Sequence, residues 1–330
     1  METKNVLGID VSKKTLDCHL YPQNKSLGQV SNDQKGFQKI SKLLKKEVGS
    51  GLAGVMVVME HTGLYTFFLE RYLGSQNIAF CKRPAPDIQY SSGIKRGKSD
   101  PIDARFISRY GWQRKEELKA GTPLSDTEIE LKQLRAQREL IVANITSCKA
   151  KITELRAMLG KSVSATVLQT LELTLGNEQR CLKIIETAIK KLIQEDQALN
   201  RNFALATSVT GIGFVAALDF LVFTRNFTAF ERDRQLMCYC GVAPFEHSSG
   251  TSVRGRTRVS PIANKPMKTS LTMSACSAVQ HDPQLRAKYE QKLKEGKPKM
   301  CALNIIRAKL ISRVLAVVSS GQPYEVRQAA

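Results

Sequence analysis

Hydrophobic and polar positions along the chain change rhythm twice. In the first third the apolar runs are short. Val6-Leu-Gly-Ile-Asp10 is an apolar strand that closes on a carboxylate, and Thr15–Tyr21 and Leu27–Ser31 read as two further strands of a meander, with Pro22 and Asn24 in the turn between them. A polar helix is expected over Lys35–Val48. Val55-Met-Val-Val-Met59 is a continuous apolar run of the buried-strand kind and ends at Glu60. An amphipathic helix over Leu64–Leu73 and a strand over Asn77–Cys81 follow.

The middle keeps a helical period. Leu131, Leu134, Ile141, Ile145, Cys148, Ile152, Leu155 and Leu159 recur at steps of three and four, broken once at Arg138. Leu175, Leu182, Ile185, Ile189, Leu192 and Leu199 continue the spacing after the polar break Gly160–Ala165. This predicts two long helices, as an antiparallel hairpin or as a coiled coil with another subunit; sustained heptads favour a partner helix. The last third is helical around the turn Ser208-Val-Thr-Gly211-Ile-Gly213. Here glycines let backbone N–H groups approach a phosphate, as in helix-hairpin-helix elements, or simply permit a tight turn. Between Cys240 and Lys268 lies a stretch poor in apolar residues and rich in hydroxyls and arginines, expected to be a long functional loop.

Meander, helix, strand, helix and strand is the order of a ribonuclease H-like fold. The expected architecture is therefore an α/β domain over residues 1–119, an α-helical coiled-coil segment for dimerisation over 120–200, and a mainly α-helical domain over 201–330. Charge sharpens this division. The chain carries +20, distributed as +8, +1 and +11 over those three segments. Two basic blocks imply a polyanionic partner, and the neutral middle suits packing against protein. Eight cysteines without a CxxC pair indicate neither a zinc site nor a disulfide framework. With no apolar signal core and no span long enough for a bilayer, the chain is expected to work in the cytoplasm, with no membrane partner.

Asp10 and Glu60 close two apolar strands, and adjacent parallel strand ends bring both to one crevice. Asp100 and Asp103, with Arg105 just behind them, open a helix: Pro101 sets its start, making Asp100 a natural N-cap. Capping explains Asp100 alone. Four carboxylates are most simply relieved by Mg²⁺ or Mn²⁺, and in a basic protein such a site serves attack at a phosphodiester. Downstream, Ser248-Ser249-Gly-Thr-Ser252 with Arg254, Arg256 and Arg258 offers a nucleophile and a phosphate clamp. His247 is the nearest base, and a plain turn is the rival reading.

The combination of V-L-G-I-D10, M-E60-H-T-G, K-S-D100-P-I-D103-A-R, V-T-G-I-G and C-G-V-A-P-F-E-H-S-S249-G-T-S-V-R-G resembles the DEDD transposases of insertion-sequence family one-ten, which include the pilin-gene invertase and the bridge-RNA-guided recombinases. The resemblance runs essentially end to end. It implies a RuvC-like N-terminal domain, a coiled-coil insertion and a C-terminal transposase domain. By it, Asp10, Glu60, Asp100 and Asp103 hold Mg²⁺, and Ser249, with Ser248 as rival, forms a covalent serine–DNA phosphodiester. Arg105, Gly211, Gly213, Arg254, Arg256 and Arg258 are then expected to touch nucleic acid. It further implies donor and target DNA, a structured bridge RNA, a dimer or tetramer with composite active sites, and association with the nucleoid. The alternatives are a RuvC-like nuclease or junction resolvase that uses water, and a non-catalytic nucleic-acid-binding scaffold.

Overall fold

A computed structural model describes residues 3–49, 51–61, 63–91, 100–249 and 253–325, the side chains of 247–249, 253, 254 and 256 aside. The chain divides into two compact units, Met1–Ser125 and Asp126–Ala330.

The first unit is a mixed α/β sheet. In order it contains β1 (Asn5–Val11), β2 (Thr15–Tyr21), β3 (Lys25–Ser31), α1 (Gln34–Val48), β4 (Val55–Glu60), α2 (Phe67–Ser75), β5 (Ala79–Arg83), α3 (Ala85–Ser91) and α4 (Asp100–Gln113). The strand order is β3-β2-β1-β4-β5, with β1, β2 and β3 antiparallel and β4 and β5 parallel to β1. Strand alternation splits the core in two. Leu7, Ile9, Val57 and Met59 face Phe37, Ile40 and Leu44 of α1 and Leu69 and Leu73 of α2. Val6, Met56, Val58 and Cys81 face Ile107 and Tyr110 of α4. That second packing is close because Gly8 carries no side chain. A Cβ there would lie 2.3 Å from the Ser108 nitrogen and 2.5 Å from the Ala104 oxygen.

Two boundaries differ from the hydrophobic pattern. The helix expected from Leu64 begins as a 3₁₀ turn, Gly63–Thr66, and becomes α-helical at Phe67; the Thr66 hydroxyl reaches back to the Gly63 carbonyl at 3.4 Å. The strand expected from Asn77 starts at Ala79, because Asn77 adopts φ +53° and its N–H closes a turn on Gly74.

The second unit is mainly helical. Helices α5 (Asp126–Leu159) and α6 (Ala165–Glu195) form an antiparallel hairpin, crossed by Arg138–Glu186, Asn144–Glu178 and Arg156–Glu172 contacts of 2.6–2.9 Å. The apolar spacing runs on to Leu199, but the helix breaks before it. Asp196 accepts from Ala198 and Leu199 N–H groups and caps α7 (Gln197–Ser208). Then follow α8 (Phe214–Phe223), α9 (Asp233–Tyr239), β6 (Pro244–Ser249), β7 (Val253–Val259), α10 (Lys265–His281), α11 (Pro283–Lys294) and α12 (Lys299–Ser320). Leu205, Val209, Phe220, Leu271, Ile306 and Leu310 lie in the core of these helices.

The stretch expected as a long loop after Cys240 instead pairs into the β6–β7 hairpin. Phe245, Thr257 and Arg258 on it are exposed, so no buried face imposes a period-two apolar pattern that the sequence would reveal. Among the described residues no helix is long and apolar enough to cross a membrane, and the eight cysteines are free thiols.

Candidate active site

The C-terminal ends of β1 and β4 are neighbours. Ile9 pairs with Met59 in the parallel ladder, so Asp10 and Glu60 leave the sheet side by side. Alternation puts both on the face that α4 covers, with Val6 and Gly8 on one strand and Met56 and Val58 on the other. Helix α4 begins at Asp100 and carries Asp103 in its first turn. Because α4 lies flush on β1 at Gly8, that first turn reaches Asp10. The electrostatics register the result: the Asp10 carboxyl is pushed up to about 6, first by burial, then by the negative charges of Asp100, Asp103, Glu60 and Asp17.

All four sequence-identified acids therefore share one end of the sheet. Lys98 and Ser99, which precede Asp100, lie outside the described residues. The structure adds a fifth acid. Asp17 stands directly opposite Asp10 in the β1–β2 ladder, is 5% exposed, and accepts a 2.8 Å hydrogen bond from Gln29 Nε2. Its signal in the sequence was the alternation of Asp17 and His19 with Leu16, Cys18 and Leu20, which sets the polar pair on one face. His19 shares a 2.8 Å hydrogen bond with the Ser108 hydroxyl of α4, and burial, then Arg105, holds its imidazole below the usual range.

Among the described residues no three acidic, histidine or cysteine side chains form a ready-made cage for a metal ion. What the described residues form is a set of hard oxygen donors whose mutual repulsion helps to raise the Asp10 carboxyl. That donor set fits a divalent cation of the Mg²⁺ or Mn²⁺ kind. Arg105, exposed on α4, donates to Asn24 Oδ1 at 3.2 Å.

In the second unit, Gly211 adopts φ +93° between α7 and α8, and a Cβ on it would come within 2.6 Å of the Ser274 oxygen. Tight packing on α10 accounts for this glycine. Gly213 is exposed and precedes α8 with extended backbone. Both line a groove of about 940 Å³ with Arg135, Val215, Lys265 and Met273. Ser249 ends β6 and pairs with Val253, while Ser248 pairs with Arg254. The side chains of His247, Ser248, Ser249, Arg254 and Arg256, and all of Gly250–Ser252, lie outside the described residues. Arg258 is exposed on β7 opposite Phe245.

Comparison with known proteins connects these features. A transposase family model of the DEDD IS110 type matches residues 7–159, and the model for the transposase IS116/IS110/IS902 family matches residues 204–290. The chain is 24% identical to the pilin gene-inverting protein of Moraxella bovis over 98% of its own length and 99% of that protein. It is 32% identical over 158 residues to an uncharacterized 43.6 kDa protein of insertion element IS110 from Streptomyces coelicolor, covering 48% of this chain and 37% of that one. A transposase for insertion sequence element IS1111A from Coxiella burnetii is 22% identical over 85% of this chain and 79% of its own. With one match on the acid-bearing sheet and the other on the helices and hairpin that follow, the chain belongs to the IS110 family of DEDD transposases.

Proposed function

We propose that this protein is an insertion-sequence recombinase that cuts and rejoins DNA, with Asp10, Glu60, Asp100 and Asp103 as its metal-binding tetrad and Ser249 as its nucleophile. The convergence of four carboxylates on one sheet end, in a chain of net charge +20, carries the reading. The strand order, with acids at the ends of β1 and β4, supports reading this unit as RuvC-like and ribonuclease H-like.

Asp10, Glu60, Asp100 and Asp103 would hold Mg²⁺, which when bound would supply charge neutralisation and polarisation of the scissile phosphate. The chain's own residues do the rest. The Ser249 Oγ–P bond forms as the bond from phosphorus to a deoxyribose oxygen breaks; the serine gives up its proton and the departing oxygen takes one. Arg254, Arg256 and Arg258 hold neighbouring phosphates, as does Arg105 beside the tetrad. Exposed Gly213 lets α8 N–H groups approach the nucleic-acid backbone, and Gly211, packed on α10, sets the turn that presents them. A structured bridge RNA selects donor and target DNA. Dimers or tetramers form through the α5–α6 hairpin, which leaves Leu140, Leu173 and Ile184 more than half exposed. Acting on chromosomal DNA, the protein works in the cytoplasm at the nucleoid.

Trapping on labelled DNA tests the assignment. Ser249→Ala abolishes the covalent protein–DNA adduct while nucleic-acid binding survives, and Asp10→Ala abolishes Mg²⁺-dependent cleavage. Cleavage without an adduct in the unaltered protein identifies a water-using nuclease instead. Cleavage unchanged in Asp10→Ala removes the tetrad from the chemistry.

A further inference from the structure

A few residues after Glu60 the chain exposes three large apolar side chains. Leu64 is 65% exposed, Tyr65 48% and Phe68 69%, within one turn and the start of α2. Single exposed apolar residues are ordinary; a run of three in five positions is a patch. The patch is built rigidly. Thr66 beneath it is buried and its hydroxyl donates to Glu70, itself buried and paired with Lys82 at 2.8 Å. The Phe68 ring leans on Phe67 at 5.0 Å between centroids, and the Arg71 guanidinium lies over Phe67 at 5.6 Å.

The patch is also tied to the acid cluster. Asn32 Nδ2 donates to the Ser12 carbonyl at 2.9 Å and to the Tyr65 carbonyl at 3.0 Å. Ser12 is two residues past Asp10, so one side chain fixes the aromatic turn to the strand that ends in the tetrad. Exposed Lys13 and Lys14 occupy that β1–β2 turn, and exposed Arg71 follows on α2.

From this arrangement we infer that Tyr65 and Phe68 form a stacking ledge for unpaired nucleobases of the strand at the acid cluster, with Lys13, Lys14 and Arg71 on its phosphates. The inference rests on the reading of the cluster as a DNA-cutting site. Flat aromatic faces flanked by cations are the combination that binds single strands without reading their sequence, because every base has a π face. A duplex keeps its bases stacked on one another and has none to offer.

The test uses the full chain in EDTA, so that cleavage plays no part, with a fluorescein-labelled single-stranded deoxythymidine oligomer and a hairpin duplex of equal charge as probes. Phe68→Ala and Tyr65→Ala are each expected to weaken single-strand binding about tenfold. The slope of affinity against salt should stay unchanged, since no phosphate contact is lost. Duplex binding should be unaffected, and Phe68→Tyr and Tyr65→Phe should restore affinity. A 2-aminopurine in the oligomer should be quenched by the unaltered protein and not by the alanine variants. Unchanged single-strand affinity, an equal loss on duplex, or a change in the sedimentation of the free variants would each overturn the ledge, the last by revealing a protein contact. Failure of the tetrad appears separately, as cleavage that survives Asp10→Ala.

Discussion

Asp10 on β1 and Asp17 on β2 are direct cross-strand partners, two carboxylates on the same face of one sheet. Like charges so placed oppose folding. The Asp10 carboxyl responds by moving from 3.8 to about 6, with burial first and Asp100, Asp103, Glu60 and Asp17 after it. Since its folded value exceeds its unfolded one, the native state gains protons more readily. Its stability contribution is complete below pH 3.8 and is lost as pH rises through about 6. At neutral pH the strain, discounted for solvent screening, is about 1–2 kcal/mol. Asp10→Asn should therefore raise the melting temperature at pH 7.5 by a few degrees and leave it nearly unchanged at pH 4.

Mg²⁺ should relieve the same repulsion. Melting curves recorded with and without MgCl₂ are expected to separate by several degrees at pH 7.5 and to draw together at pH 5, where Asp10 is protonated. In Asp10→Asn the separation should shrink at both values. A separation independent of pH would place the cation elsewhere.

The parts of this site differ in how readable they were. Asp10 and Glu60 were visible because each closes an apolar run, where a carboxylate stands out against its neighbours. Asp17 was not, because its position opposite Asp10 depends on the register that the Ser12–Lys14 turn imposes. Asp100 and Asp103 were recognisable as a helix start, but their approach to Asp10 depends on α4 packing at a position with no side chain. The β6–β7 hairpin escaped the hydrophobic pattern because its described side chains are largely exposed. Asn77 misplaced a strand because left-handed backbone leaves no mark on hydrophobicity.

Gly8 offers the sharpest test of how the fold brings the four acids together. Gly8→Ala places a methyl group against the Ser108 nitrogen and Ala104 oxygen, backbone atoms that cannot turn aside. The expected cost is at the upper end of the ~1–3 kcal/mol typical of overpacking. The Mg²⁺-dependent rise in melting temperature should fall with it, because the first turn of α4 is carried away from β1. Retention of that rise would show that α4 accommodates the methyl group while keeping its acids in place.

His19 reports on the same helix through pH. Buried and bonded to Ser108, its imidazole titrates below 6.5, so folding favours the neutral ring. Its contribution is present above the unfolded value and is lost as pH falls from 6.5 through the lowered folded value. The stability of the unaltered protein relative to His19→Gln should decline over that window and remain constant above it. Urea midpoints across the pH range would measure this.

In the second unit, Asp219 on α8 is 2% exposed and accepts hydrogen bonds from Arg135 Nε at 2.8 Å and from the Ser270 hydroxyl. A buried carboxylate is tolerable only with such partners. Arg135→Ala leaves it uncompensated and also removes the guanidinium from the Phe223 ring, 4.8 Å away. The expected loss is about 3–5 kcal/mol. Replacing both charges, as Arg135→Met with Asp219→Leu, removes the desolvation cost along with the attraction and should lose much less. Urea denaturation of the two variants distinguishes a carboxylate that depends on Arg135 from one that Ser270 alone can hold: in the second case Arg135→Ala would cost little more than the double replacement.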